Sequence, residues 1–261
     1  MPDFTIKIYT NLLGVLRKQG YSFQTFADFL KDPADKVIVL RHDVDARKEN
    51  SLRFAEIQHG LGIKGSYFFR VVPGSYDEEV IKKIAGMGHE VGYHYETMDL
   101  VSEKLKVKSE KWGAEKLIDA AYEEFCRNLE MFRKIVPVET ICMHGSPRSK
   151  YDNKDIWKKY EYKKLGLIGE PYYDIDFNKV AYLTDTGRRW NGDKVSVRDK
   201  VESPFNFNFR STFDIIENIS HLPDQVMFTF HPQRWHDSAV LWIKELVVQN
   251  VKNEVKRVLV K

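Results

Sequence analysis

The chain is expected to be an α/β protein, a distorted (β/α) barrel of seven parallel strands, on three observations. Short runs rich in β-branched and aromatic residues alternate with longer segments of helical periodicity, as parallel strands joined by crossover helices do. Three of those runs end in histidine and a fourth in Arg-His-Asp-Val-Asp, and the carboxyl ends of parallel strands are where such folds bind ligands. No Pro/Gly/Ser-rich linker, low-complexity tract or internal repeat interrupts the 261 residues. One α/β barrel commonly fills that length, so a single domain over 1–261 is expected, with a helical extension over about 1–35.

In chain order, Tyr9–Lys18 and Ser22–Leu30 predict two short helices ahead of the first strand. The strand candidates are Val37–Asp43, Gly65–Val71, Glu90–Glu96, Thr140–Gly145, Leu167–Tyr173, Val180–Asp185 and Met227–Pro232. Amphipathic helices are expected over Ala46–His59, Asp77–Met87 and Ser109–Val136 between them. A last helix begins near His236, capped by Asp237 or Ser238. Its apolar positions Val240, Ile243, Val247, Val251, Val255 and Val258 keep helical spacing. That face is expected to pack on the outside of the sheet, with a membrane-surface helix as the alternative.

The formal charge of +3 comes from 41 basic and 38 acidic residues, without the basic stripe that nucleic-acid binding needs. No apolar run approaches the roughly 20 residues of a membrane span. The start Met-Pro-Asp-Phe-Thr lacks the basic and apolar regions of a secretory signal. Cys126 and Cys142 share no metal-type spacing and are expected to be reduced thiols. A cytoplasmic protein follows as the expectation.

The strand ends carry the chemistry. In extended backbone Asp43 and Asp45 share one face, and so do His94 and Glu96 on their own strand. Together they form a mixed nitrogen and oxygen donor set that suits a divalent metal: zinc first, with manganese, iron, cobalt or nickel as alternatives. An ion held by three protein ligands keeps a position for water and lowers its pKa towards ~7. A carboxylate outside the ligand set can then take the water's proton, and a histidine across the pocket can protonate a leaving group. His144 precedes Gly145, where a substrate can approach the backbone. "TDTGRRW" adds Asp185, Arg188, Arg189 and Trp190 as substrate-binding candidates, since aromatic faces stack on sugar rings and arginine recognises carboxylates or phosphates. His89, before its strand, is read as structural.

"GHEVGYH" resembles the "GHE-[IV]-G-x-H" segment of the polysaccharide deacetylase superfamily, the NodB-like or carbohydrate esterase family 4 group. "LRHDVD" resembles its first motif and "MFTFHP" its last, in the family's order. "GYHYE", "HGSP", "TDTGRRW" and "HPQRW" are similar to a divergent WbmS-like branch. The resemblance implies the barrel fold and a metal-dependent hydrolase that removes an N-acyl, typically N-acetyl, group from a sugar. It places the catalytic base on Asp43, a metal histidine on His94 and the general acid on His231. The chain departs from the family at Val44, where the family's metal aspartate stands, and at Met98, where its second metal histidine stands. Asp45 and Glu96 are the expected replacements, with His144 and His42 in reserve. Arg148, Arg188 and Arg41 are candidates for orienting the base. The implied substrate is a cytosolic nucleotide- or lipid-linked sugar of surface-polysaccharide synthesis. Two alternatives stand beside it: a metal-dependent glycosyltransferase using Asp43-Val44-Asp45, and a non-catalytic carbohydrate-binding protein on a deacetylase scaffold.

Overall fold

The computed structural model describes residues 2–106, 114–145, 151–190 and 201–259. Seven strands form one sheet: β1 Ser22–Gln24, β2 Val37–Val44, β3 Ser66–Phe69, β4 Glu90–Tyr95, β5 Ile141–Met143, β6 Ala181–Thr184 and β7 Gln225–Phe230. Their order is β5-β4-β3-β2-β7-β6, with β1 paired to the lower part of β2. Every pairing is parallel, so all strands deliver their carboxyl ends to one rim. The sheet curls into a distorted half-barrel, open between β5 and β6.

β2 is the central strand, and all eight of its residues are buried, as expected of a parallel strand covered on both faces. Alternation along it separates two apolar layers. Val37 and Val39 face inward with Phe68, Cys142 and Met227, over Phe26 and Phe29. Ile38 and Leu40 face outward under α1 Ile6–Lys18 and α3 Lys48–Gly60, against Leu12, Leu16 and Phe54. Thr5 caps α1 by accepting from the Ile8 amide, and Asp77 caps α4 Glu78–Gly86 through the amides of Glu79 and Val80, each satisfying an otherwise orphaned donor. The connections are completed by α2 Phe26–Lys31, α5 Thr97–Lys106, α6 Ala114–Arg133, the short α7 Pro171–Asp174, α8 Thr212–Glu217 and the long α9 Ala239–Leu259.

Three expectations change. Ser22–Leu30 is not one helix: Thr25 caps α2 at Phe26, and the three residues Ser22–Gln24 pair with β2 instead. Leu167–Tyr173 is not a strand but a single bridge from Gly169 to Thr140, because Pro171 opens α7 and cannot donate to a ladder. The count of seven therefore holds with a different member. The apolar face of α9 does not pack on the sheet; Val240, Ile243, Val247, Val251 and Val255 are exposed. No helix among the described residues is long and apolar enough to cross a membrane.

Candidate functional site

Three imidazoles converge on one carboxylate at the rim. After β2 the chain turns tightly, the Asp45 amide donating to the Asp43 carbonyl (3.0 Å). Asp45 Oδ1 then lies 3.6 Å from His94 Nε2 and 3.6 Å from His144 Nε2, and its Oδ2 lies 3.9 Å from His231 Nε2. Each ring is anchored through its other nitrogen. His94 Nδ1 is 2.9 Å from the Cys142 carbonyl, and His231 Nδ1 is 2.6 Å from Asp185 Oδ1. His144 Nδ1 lies 3.1 Å from Glu96 Oε2, off the line of a full hydrogen bond. An N–H at each Nδ1 leaves the Nε2 lone pair facing Asp45, as a metal-binding or proton-accepting imidazole requires.

Three nearby carboxylates, Asp43, Glu96 and Asp185, are paired with guanidinium groups. Arg41 grips Asp43 with both forks (2.8 and 2.6 Å) and is itself almost wholly buried, with the Tyr172 hydroxyl at 3.1 Å. Arg70, closing "SYFFR" on β3, grips Glu96 (3.1 and 2.6 Å). Asp185 is fully buried and accepts from Arg234 (2.8 Å) and the Trp235 indole (2.7 Å) as well as His231. The Asp45 carboxylate has no arginine or lysine partner among the described residues, although the Asp45 carbonyl accepts from Arg70 (3.3 Å). The carboxylate accepts from Gln233 at 3.1 Å, and its Oδ1 is buried without a hydrogen-bond partner. Burial would raise its pKa, but His94, His144 and His231 hold it well below the carboxylate range. Burial would lower His94, and Asp43 with Asp45 reverse that and raise it.

Asp43, His94 and Cys142 also present ligand atoms within 4.8 Å of one another, a cluster able to hold a divalent metal. His94 is common to this set and to the one around Asp45. Cys142, opposite His94 on β5, turns its thiol towards the Met143 carbonyl (3.6 Å).

Several expected site residues lie elsewhere. Trp190 is buried against Phe228 and Phe230 and donates to Thr212 (3.0 Å), with its ring faces turned into the core. Arg188 is also buried, over the rings of Phe4 and Trp242. Asp185 serves His231 instead of facing a substrate, because both its oxygens are engaged inside the protein. Arg189 is exposed. Glu96 faces Arg70 and His144, so its oxygens are occupied, whereas His144 reaches the centre. His42 points outward, stacked on Tyr67 (4.1 Å) and bonded to Ser66, Tyr9 and Gln58. Arg148 lies outside the described residues. Sequence reasoning missed Arg70, Gln233, Arg234 and Trp235. Arg70 carried the same signal as the histidines, a charged residue closing an apolar strand. A separate groove of about 220 Å³, lined by Trp157, Tyr160, Tyr162 and Tyr173, meets β4 where the Trp157 indole donates to the Tyr95 hydroxyl (2.9 Å) and packs against its ring.

The buried histidines predict acid sensitivity. Burial pushes His42 down to about 3 and His89 down to about 4, so both stay neutral while the unfolded chain takes up protons below ~6.5. Their contribution to stability is complete above pH ~6.5 and is lost as pH falls towards their folded values. The upward shift of His94 works in the opposite sense and offsets part of this. The unfolding free energy from urea titrations with chelator present is expected to fall steadily between pH 7 and pH 4.5, by several kcal/mol at ~1.4 kcal/mol per unit. A flat profile would contradict neutral burial of His42.

No protein-family model matches the chain, and no curated protein matches it. Among solved structures, it is similar to a CE4 family pseudoenzyme from Bacillus anthracis, at 14% identity over 86% of this chain and 62% of that one, TM-score 0.43. A mutant of that pseudoenzyme with restored enzymatic activity aligns similarly, at 13% identity over 86% of this chain, TM-score 0.43. The chain spans 64% of that mutant's length. It is also similar to a Streptococcus mutans CE4 esterase, at 12% identity over 92% of this chain and 90% of that one, TM-score 0.43.

Proposed function

We propose that the chain is a metal-dependent hydrolase of the polysaccharide deacetylase type, in its WbmS-like branch, removing an N-acetyl group from a sugar. The observation that carries the reading is the pairing of the rim acids. Asp43, Glu96 and Asp185 each have an arginine, whereas the Asp45 carboxylate meets Gln233 and three imidazoles. A carboxylate so placed needs a positive partner, and Nε2 atoms at 3.6 Å fit ligands of one ion. Atoms around a tetrahedral ion with bonds of ~2.0–2.1 Å sit roughly 3.3 Å apart.

In this reading Asp45, His94 and His144 hold the metal, zinc by donor type. Glu96 orients His144 from behind, so His144 and Glu96 exchange the roles expected from sequence. The bound ion supplies a polarised acyl carbonyl and a water of lowered pKa. Asp43, fixed by Arg41, takes the proton of the attacking water. The C–O bond forms in that step; His231, fixed by Asp185 and carrying a second proton on Nε2, then gives that proton to the departing amine as the C–N bond breaks, and the proton held by Asp43 restores it through solvent. The products are acetate and the free amino sugar. The substrate is a cytoplasmic nucleotide- or lipid-linked precursor.

Metal-loaded protein incubated with an N-acetylated nucleotide sugar is expected to release acetate. Release of the nucleoside diphosphate without acetate would identify a glycosyltransferase, and binding without either product a carbohydrate-binding protein. Asp185→Asn is expected to lower turnover ~10²–10⁴-fold with metal content unchanged, because His231 loses the acceptor that sets its tautomer. Unaltered turnover in this variant would remove His231 from the mechanism.

A further inference from the structure

α9 is inverted relative to an ordinary surface helix. Its polar residues Gln249 and Asn253 are buried, Asn253 donating to the Gly187 carbonyl (3.0 Å). On the same face the Trp242 indole donates to the Asp3 carbonyl (2.6 Å), and Arg188 to the Trp242 carbonyl (3.2 Å). The apolar residues face the other way. Val240, Ile243, Val247, Val251 and Val255, flanked by Leu241 and Val248, are between 38% and 75% exposed. Of the large hydrophobic residues exposed in the described chain, only Tyr173 lies off this helix. A stripe of this kind on one element marks an interaction surface.

We propose that α9 is a dimer interface, pairing with α9 of a second copy in antiparallel orientation about a two-fold axis near Val247 and Val248. The stripe runs straight along one side of the helix for roughly 22 Å at 1.5 Å per residue, so its natural partner is another straight helix with equally small side chains. α9 itself has that surface, and a two-fold contact requires one patch to complement itself. The area suffices. At roughly 150 Å² for each fully exposed residue, the seven fractions leave about 550 Å² per copy. Pairing removes about 1,100 Å² before flanking polar side chains are counted, near the ~1,200 Å² lower bound of a specific interface.

Opposed helix dipoles favour the antiparallel orientation, and the exposed side chains disfavour a lipid partner. In a parallel pair Lys244 would stand opposite Lys244 and Lys252 opposite Lys252. The antiparallel pair opposes the two dipoles and moves Lys244 of one copy ~10 Å along the axis from Lys244 of the other, each then lying near Lys252 of the second copy. Over Ala239–Leu259 the helix has four basic residues and two glutamates, a net +2 that attracts anionic lipid only weakly, at ~1 kcal/mol per basic residue. Its exposed face has Val and Ile where membrane-surface helices place Trp, Phe and Leu.

Sedimentation velocity of the full chain is expected to show concentration-dependent formation of a species of twice the 30.6 kDa chain mass. Val247→Asp and Val251→Asp, at exposed positions, should each weaken association at least ~100-fold with the thermal midpoint of the monomer unchanged. In a Cys126→Ser background, Val248→Cys should cross-link under mild oxidation and Val240→Cys should not; cross-linking of both would overturn the antiparallel arrangement. A chain that stays monomeric at hundreds of micromolar, or a dimer indifferent to Val247→Asp, would overturn the proposal. So would flotation of the monomeric chain with vesicles of phosphatidylcholine and phosphatidylserine.

Discussion

Asp45→Ala is expected to leave the purified protein without bound divalent metal and to lower amide hydrolysis at least ~10³-fold. The magnitude follows from the several kcal/mol a bound cation contributes to a charged transition state, at ~1.4 kcal/mol per tenfold. The structural reason is that the Asp45 carboxylate, unlike those of Asp43, Glu96 and Asp185, has no guanidinium partner among the described residues, and it is the point on which His94, His144 and His231 converge. A readout independent of turnover is thermal stability. Zinc should raise the melting temperature of the wild type, by about 2.7 kcal/mol of stability at a hundredfold excess over Kd, and have little effect on Asp45→Ala. Asp43→Asn separates the roles: it should keep the metal and lose turnover. Metal retained in Asp45→Ala but lost in Cys142→Ala would instead place the ion at Asp43, His94 and Cys142.

Arg41→Met is expected to destabilise the fold by roughly 3–5 kcal/mol, the cost of leaving one member of a buried ion pair uncompensated. Both partners are buried: the side chains of Arg41 and Asp43 are 1% and 4% exposed. Arg41 also gives an N–H to Tyr172 and lies over that ring at 5.1 Å. Lysine cannot replace the two parallel bonds to Asp43, so Arg41→Lys should fall between methionine and wild type. Removing both charges in Arg41→Met/Asp43→Leu should recover part of the loss, since an apolar pair of similar volume satisfies a buried site. Urea unfolding of these three variants and of Asp43→Leu alone measures this. A loss below ~1 kcal/mol in Arg41→Met, or a double variant as unstable as the sum of its singles, would contradict the assignment.

Much of the architecture was legible because alternating strands and helices constrain topology, and because charged residues at strand ends must gather at one rim once every pairing is parallel. That reasoning brought Asp43, Asp45, His94 and His231 together from positions far apart in sequence. It could not order Glu96 and His144. Their relation depends on the β4–β5 register, in which the His144 amide donates to the Tyr95 carbonyl (2.8 Å) and sets the ring beside Glu96. Asp185 and Trp190 were misread for a related reason: a polar and aromatic loop looks alike in sequence whether it faces solvent or folds inward. Here Asp185 turns in to meet His231, Arg234 and Trp235, and Trp190 closes the core behind it. The helical spacing of α9 was correct, but periodicity gives the width of an apolar face and not its direction. Buried contacts made by Trp242, Gln249 and Asn253 decide that direction.

X-ray absorption at the zinc edge of metal-loaded protein tests the ligand set most directly. Asp45, His94 and His144 predict a first shell of nitrogen and oxygen alone at ~2.0–2.1 Å, with imidazole outer-shell scattering reduced in His144→Ala and unchanged in Cys142→Ala. A sulfur shell at ~2.3 Å, or a spectrum indifferent to His144, would contradict the account.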